Sequence, residues 1–117
     1  MAEEKKYDLE DRTVRFGMNI IQTLRKIKAD HISRPLMSQL IRCSTSIGAN
    51  YTEANGGQSK KDFMHKCSIC RKEARETKYF ITMLAESNPE CKNDLSKLWK
   101  ESHELSLIFA SIVKKNG

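Results

Sequence analysis

Apolar and small residues recur along this chain in alternating steps of three and four, in four successive segments, and that period constrains the fold more than any other feature. Residues 59–86 carry Phe63, Cys67, Cys70, Ala74, Thr77, Ile81 and Leu84 at this spacing, and residues 89–115 carry Cys91, Leu95, Leu98, Ser102, Leu105, Phe109 and Ile112. Residues 9–29 give Thr13, Gly17, Ile20, Leu24 and Ile27, and residues 35–55 give Leu36, Leu40, Cys43, Ile47, Asn50 and Ala54. An α-helix turns once every ~3.6 residues, so each series marks the buried face of one helix. No segment shows the period-two alternation of a strand.

Two prolines and five glycines in 117 residues leave little punctuation, and Pro35, Gly56, Gly57 and Pro89 fall at the ends of these segments. Pro35 fits the first turn of a helix, and Asn88-Pro89-Glu90 reads as an N-cap, a first-position proline and a first-turn acid. Gly56-Gly57 stops one helix, and Ser59-Lys60-Lys61-Asp62 resembles a capping box at the start of the next. Connections this short make sequential helices antiparallel. The expected architecture is all-α, a single domain over 1–117: an up-down-up-down four-helix bundle with helices at 9–29, 35–55, 59–86 and 89–115, about 30–40 Å long at ~1.5 Å per residue. Val14, Met18 and Ile21 form a second stripe on the first helix. Ile69, Phe80, Met83, Trp99 and Ile108 lie beside the later seams. Wide stripes can fill a wide core, but this surplus over one face per helix points to contact with another subunit.

The longest nearly apolar stretch, Leu105 to Val113, is far short of the ~20 residues that a membrane-spanning helix needs. The charged opening Met-Ala-Glu-Glu-Lys-Lys has no apolar stretch behind it, so a cytoplasmic protein with reduced thiols is expected, and no membrane partner.

Few residues are arranged for catalysis or metal binding. Cys67-x-x-Cys70 with His65 nearby looks like half a zinc site, but all four cysteines fall on seam positions, where cysteine behaves as a small hydrophobe. Carboxylate-bridged di-iron bundles need Glu-x-x-His on two helices, and the chain has none. Gly56-Gly57 is not spaced as a phosphate loop, and His31, His65 and His103 lie in unrelated contexts. The pairs Glu73-x-x-Glu76 and Glu101-x-x-Glu104 are the one enzyme alternative. Two acidic pairs on neighbouring helices can hold magnesium against a pyrophosphate, and the pattern resembles the metal site of all-α nucleoside triphosphate pyrophosphatases, although those end the second pair with Asp. Lysines four residues before Glu76, Glu101 and Glu104 match an ordinary solvated charged face equally well. The expectation is therefore no enzyme, no metal and no cofactor.

Charge is more informative. Of the formal net charge of +6, half belongs to residues 58–88. Lys61, Ser68, Arg71, Arg75 and Lys78 share one face of that helix with Met64, with Lys60 at the same end, and such a row can track a phosphate backbone. Lys60, Lys61, Arg71, Arg75 and Lys78 are thus the candidate RNA- or DNA-binding residues. No aromatic residue is read as interleaved with them for base stacking. A second constellation is polar: Asn50 on the second seam, with Arg42, Ser46 and Glu53 alongside, opposite Lys66, Glu73 and Glu76. Such a network fixes register in a bundle or forms a ligand site.

Three stretches, Gln39-Leu40-Ile41-Arg42-Cys43-Ser44-Thr45-Ser46-Ile47-Gly48-Ala49-Asn50-Tyr51-Thr52-Glu53-Ala54, Ser59-Lys60-Lys61-Asp62-Phe63-Met64-His65-Lys66 and Lys72-Glu73-Ala74-Arg75-Glu76-Thr77-Lys78-Tyr79, closely resemble the bacterial four-helix-bundle family named for proteins encoded in intervening sequences of large-subunit ribosomal RNA genes. Asp8 to Thr13 resembles that family's start, and the fourth helix matches in character only. The resemblance implies a left-handed bundle assembling as a ring-like homopentamer, with no known catalytic activity. Related accessory proteins of diversity-generating retroelements are pentamers that bind nucleic acid and a reverse transcriptase through basic surfaces. Arg42, Ser46, Asn50, Glu53, Lys66, Glu73 and Glu76 match the family motif one for one. Cysteine at 43, 67 and 70, Arg71, and Phe80 in place of a common Trp depart from it, and Arg71 makes the basic row denser. The expected function is a non-enzymatic homo-oligomer that binds RNA or DNA or scaffolds a nucleic-acid-processing protein. A purely structural interaction module is the alternative.

Overall fold

The computed structural model describes residues 2–57 and 59–116, with side chains for residues 9–57 and 59–115. Four α-helices follow one another: α1 (Ala2–Arg25), α2 (Ser33–Asn55), α3 (Lys60–Ser87) and α4 (Lys92–Asn116), with a 3-10 turn at Pro89–Cys91 and no strand among the described residues. Each helix packs against the next, and α1 closes the ring of contacts against α4, so the diagonal pairs are separated by the core. The principal axes, 44 × 26 × 20 Å, match helices of this length standing side by side.

Local hydrogen bonding moves several ends from their expected positions. The first helix stops at Arg25 instead of 29, because Lys26 and Ile27 donate to carbonyls three residues back and tighten the last turn. Ile27 stays buried beneath that turn. The second helix starts at Ser33, two residues before Pro35. The Asp30 carboxylate accepts from the amides of Ile32 (2.9 Å) and Ser33 (2.8 Å), while the Ser33 hydroxyl accepts from the Asp30 amide (2.8 Å), a reciprocal cap. The Ser33 and Ile32 amides also hold the Asp30 carboxyl below its usual range. Ser59 caps α3 by accepting from the Asp62 amide at 3.1 Å. Asn88 does not cap α4: its side chain reaches Glu90, its amide closes α3 on Leu84, and α4 begins only at Lys92. The end of α2 uses no left-handed residue. Glycine is needed at 57 for close approach, since a Cβ there would meet the Ala54 carbonyl at 3.0 Å.

The α3 seam is buried from Cys67 to Leu84, with Phe63 packed on its end, and the α4 seam is buried from Leu95 to Phe109. The α2 seam runs through Tyr51, not Asn50, and the Tyr51 ring meets Phe109 edge-to-face at 5.6 Å across the core. On α1, Leu9 and Phe16 join the expected residues, and Phe16 is among the largest fully buried side chains. Buried hydroxyls are satisfied: Ser102 donates to the Ala74 carbonyl across α3/α4 at 2.8 Å, and Thr77 donates to the Glu73 carbonyl at 2.7 Å. A bidentate pair from Arg12 to Glu101, at 2.7 and 2.8 Å, clips α1 to α4.

Candidate nucleic-acid interface

The 28 residues of α3 form its longest unbroken face, and the positions opposite its seam are open to solvent. Ser68, Arg71, Lys72, Arg75, Glu76 and Tyr79 line a shallow depression of ≈ 480 Å³ there. Arg71, Lys72 and Arg75 make no ion pair among the described residues, so their cationic groups are available to a ligand. Glu76, the one acid in the lining, is drawn toward α2 by Arg42 at 3.8 Å. Tyr79 is 58% exposed beside them. An aromatic ring therefore does accompany the basic row, contrary to the reading from spacing. It was visible in principle, since Tyr79 follows Arg75 by one helical turn, as Lys72 precedes Glu76 by one.

The structure divides the five predicted cations. Arg71 and Arg75 meet in the depression, while Lys60 and Lys61 stand exposed at the N-terminal end of α3. Lys78 turns toward α4, its ammonium 3.0 Å from His103 Nδ1 and 5.4 Å from the centre of the Trp99 ring. Trp99 and His103 stack, with ring centres 5.1 Å apart and planes 15° from parallel. The contact of Trp99 and His103 with Lys78 escaped the sequence reading because it depends on how α3 and α4 are aligned, which spacing along one helix does not encode.

The polar constellation resolves into three ion pairs, made by two cations, and two local bonds. Arg42 reaches Glu73 at 3.5 Å and Glu76 at 3.8 Å, and Lys66 reaches Glu53 at 2.7 Å, both across α2/α3. Ser46 donates to the Arg42 carbonyl and Asn50 to the Ser46 carbonyl, within α2, so neither joins the interhelical pairs. Burial, then the neighbouring Glu76, pushes the Glu73 carboxyl above its ordinary range, and Arg42 offsets this in part.

The acidic pairs are drawn to different partners. Glu73 and Glu76 turn to Arg42 on α2, Glu101 turns to Arg12 on α1, and no three of His, Cys, Asp or Glu converge among the described residues. Cys67 and Cys70 point into the core, where burial raises their thiols to about 11 and about 12, while His65 is exposed. Cys70 donates to the Ile47 carbonyl at 3.4 Å, as a core thiol.

A second open surface lies between α1 and α2. Val14, Met18 and Ile21 from one side and Thr45, Ala49 and Thr52 from the other form a groove of ≈ 260 Å³ with no ionisable residue in its lining. Its floor is Gly48, where a Cβ would stand 3.4 Å from the Thr13 hydroxyl. Among the described residues no helix is long and apolar enough to cross a membrane.

A solved structure of a protein of unknown function from the S23 ribosomal protein family of Bacteroides thetaiotaomicron is 29% identical to this chain. It superposes with a TM-score of 0.77, over 90% of this chain and 97% of that one. No curated protein shows significant similarity. The match to the 23S rRNA-intervening sequence protein family spans residues 5–111, from α1 well into α4, and the chain belongs to that family.

Proposed function

We propose that this protein is a non-enzymatic homo-oligomer, a ring of five chains acting in the cytoplasm, that binds RNA or DNA through the outer face of α3. The observation that carries the reading is the gathering of Arg71, Lys72 and Arg75 around one depression with the exposed Tyr79, free of ion pairs among the described residues. Guanidinium groups in such a row match successive phosphates and release their counterions. The family's description names 23S rRNA intervening sequences and the neighbour's names a ribosomal protein family, which puts RNA first among polyanions. Assembly is supported by the α1/α2 groove: Met18 is 54% exposed in an uncharged lining, a surface that gains from being covered. A ring needs two different complementary patches, and the exposed Leu107 on α4 offers a second apolar one.

The test is purification at low salt, with the mass measured by light scattering and the same peak assayed for nucleic acid. A mass of about five times 13.5 kDa is expected. Bound nucleic acid should be stripped by raising salt, because counterion release makes such binding steeply salt-dependent. Changing Arg71, Arg75 and Lys78 together to Glu should weaken binding by about 100-fold at about 50 mM salt. Salt-insensitive binding, or none, overturns the nucleic-acid reading and leaves a scaffold of protein contacts.

A further inference from the structure

Along α3, Arg71, Arg75, Lys78, Thr82 and Ala85 follow one another at steps of four, three, four and three, so they form one continuous ridge of about 21 Å. The basic depression occupies the start of this ridge, through Arg71 and Arg75. Its far end borders a groove of ≈ 370 Å³ between α3 and α4, lined by Thr82 and Ala85 on one side and by Leu95 and Trp99 on the other. Lys78 joins the two, one turn beyond Arg75 and with its ammonium over the Trp99 ring. The charged residues lining the groove are Lys92 and Lys100, both cationic. Trp99 is 37% exposed, and its stack on His103 holds the ring in place.

We infer that the line from Arg71 to Trp99 is a track for single-stranded nucleic acid, in which unpaired bases stack on Tyr79 and Trp99 while Arg71, Arg75 and the flanking lysines hold the phosphates. The inference rests on the proposed binding through α3 and adds the form of the ligand. Paired bases hide their faces inside a duplex, whereas an unpaired strand offers them to aromatic rings next to its phosphates. The juxtaposition of two exposed aromatic rings with a ridge whose first three members, Arg71, Arg75 and Lys78, are cationic fits that chemistry. An acidic amphipathic peptide would match the groove at Trp99 but leaves the arginine-lined depression without a role.

The experiment uses the intact protein and a mixed-sequence RNA of about 12 nucleotides, single-stranded or annealed to its complement. Binding is followed by anisotropy of the labelled RNA and by emission from Trp99, the chain's one tryptophan. Single-stranded RNA should bind about ten-fold more tightly than duplex and quench Trp99. Tyr79→Ala and Trp99→Ala should each cost about five-fold or more for the single strand and leave duplex binding unchanged, with Trp99→Phe close to wild type. Tyr79 is exposed, so its variant keeps the test decisive if Trp99→Ala fails to fold. Equal binding of both forms with no effect of Tyr79→Ala overturns the track and leaves the basic-face reading standing. No binding of either form at about 50 mM salt removes both. Quenching by a glutamate-rich amphipathic helical peptide, with none by RNA, assigns the groove to a protein and overturns the track.

Discussion

The α1/α2 groove and the outer face of α3 lie over buried seams of the same period, yet they present opposite chemistry. The groove is floored by Gly48 and walled by Val14, Met18 and Ile21, with no ionisable residue, so its free energy falls when another apolar surface covers it. The α3 face carries Arg71, Lys72 and Arg75, whose hydration would be lost in an apolar contact but whose charge attracts an anion from a distance. The seams explain why the chain folds; what lies off the seams separates the proposed assembly surface from the proposed binding surface.

If the two surfaces are independent, damage to one should spare the other. Met18→Asp places a carboxylate in the middle of the uncharged groove, where desolvating it costs several kcal/mol. The expected result is the largest of those proposed here: light scattering should report single chains of 13.5 kDa with unchanged helical content. Nucleic-acid binding by each chain should persist, at lower avidity once the sites are no longer linked. An assembly that survives Met18→Asp would show that subunits meet elsewhere.

Gly48→Leu tests the groove from beneath. The Thr13 hydroxyl and backbone stand 3.4–3.5 Å from the position of a Cβ, so a longer side chain must push α1 away from α2. Overpacking of this kind costs about 1–3 kcal/mol. Thermal unfolding should shift down accordingly, while a melting point equal to wild type would mean that α1 yields without cost.

How much of this was legible in the sequence differs by element. The α3 seam from Cys67 to Leu84 was readable because every step places a side chain over the core axis, with no large residue competing for the position. On α2 the stripe was one residue out of phase at Asn50, while Ala54 beyond it is buried as expected. Tyr51 is half polar by character, but its ring fills the space beside Phe109, whereas Asn50 can satisfy its amide on the Ser46 carbonyl at the surface. On α1, Phe16 was missed because Thr13 and Gly17 already satisfy the period, and both are buried beside it. The cationic row was readable as a helical face. Its division was not, since Lys78 leaves the row only where α4 offers Trp99 and His103. Partners across helices are set by register between elements, which the spacing within one element does not contain.

The smallest effect concerns the residue that lies between the two surfaces and should belong to neither. Glu73 is buried against Arg42 at the α2/α3 contact, and burial together with Glu76 raises its carboxyl above the ordinary value of 4.5. A folded state that holds the proton more tightly than the unfolded chain is favoured at low pH. The stability that Glu73 contributes is therefore complete below its ordinary value and is lost as pH rises through its raised folded value. Glu73→Gln should therefore flatten the slope of unfolding free energy against pH above the ordinary value of 4.5. At neutral pH the variant no longer carries a buried charge but leaves Arg42 with Glu76 alone, and these opposed changes should keep its stability within about 1 kcal/mol of wild type. Assembly mass and RNA affinity should both be unchanged. If RNA affinity fell with Glu73→Gln while stability held, the Arg42 to Glu76 contact would be part of the α3 interface, because it is Arg42 that draws the one acid in the depression away from Arg75 and Lys72.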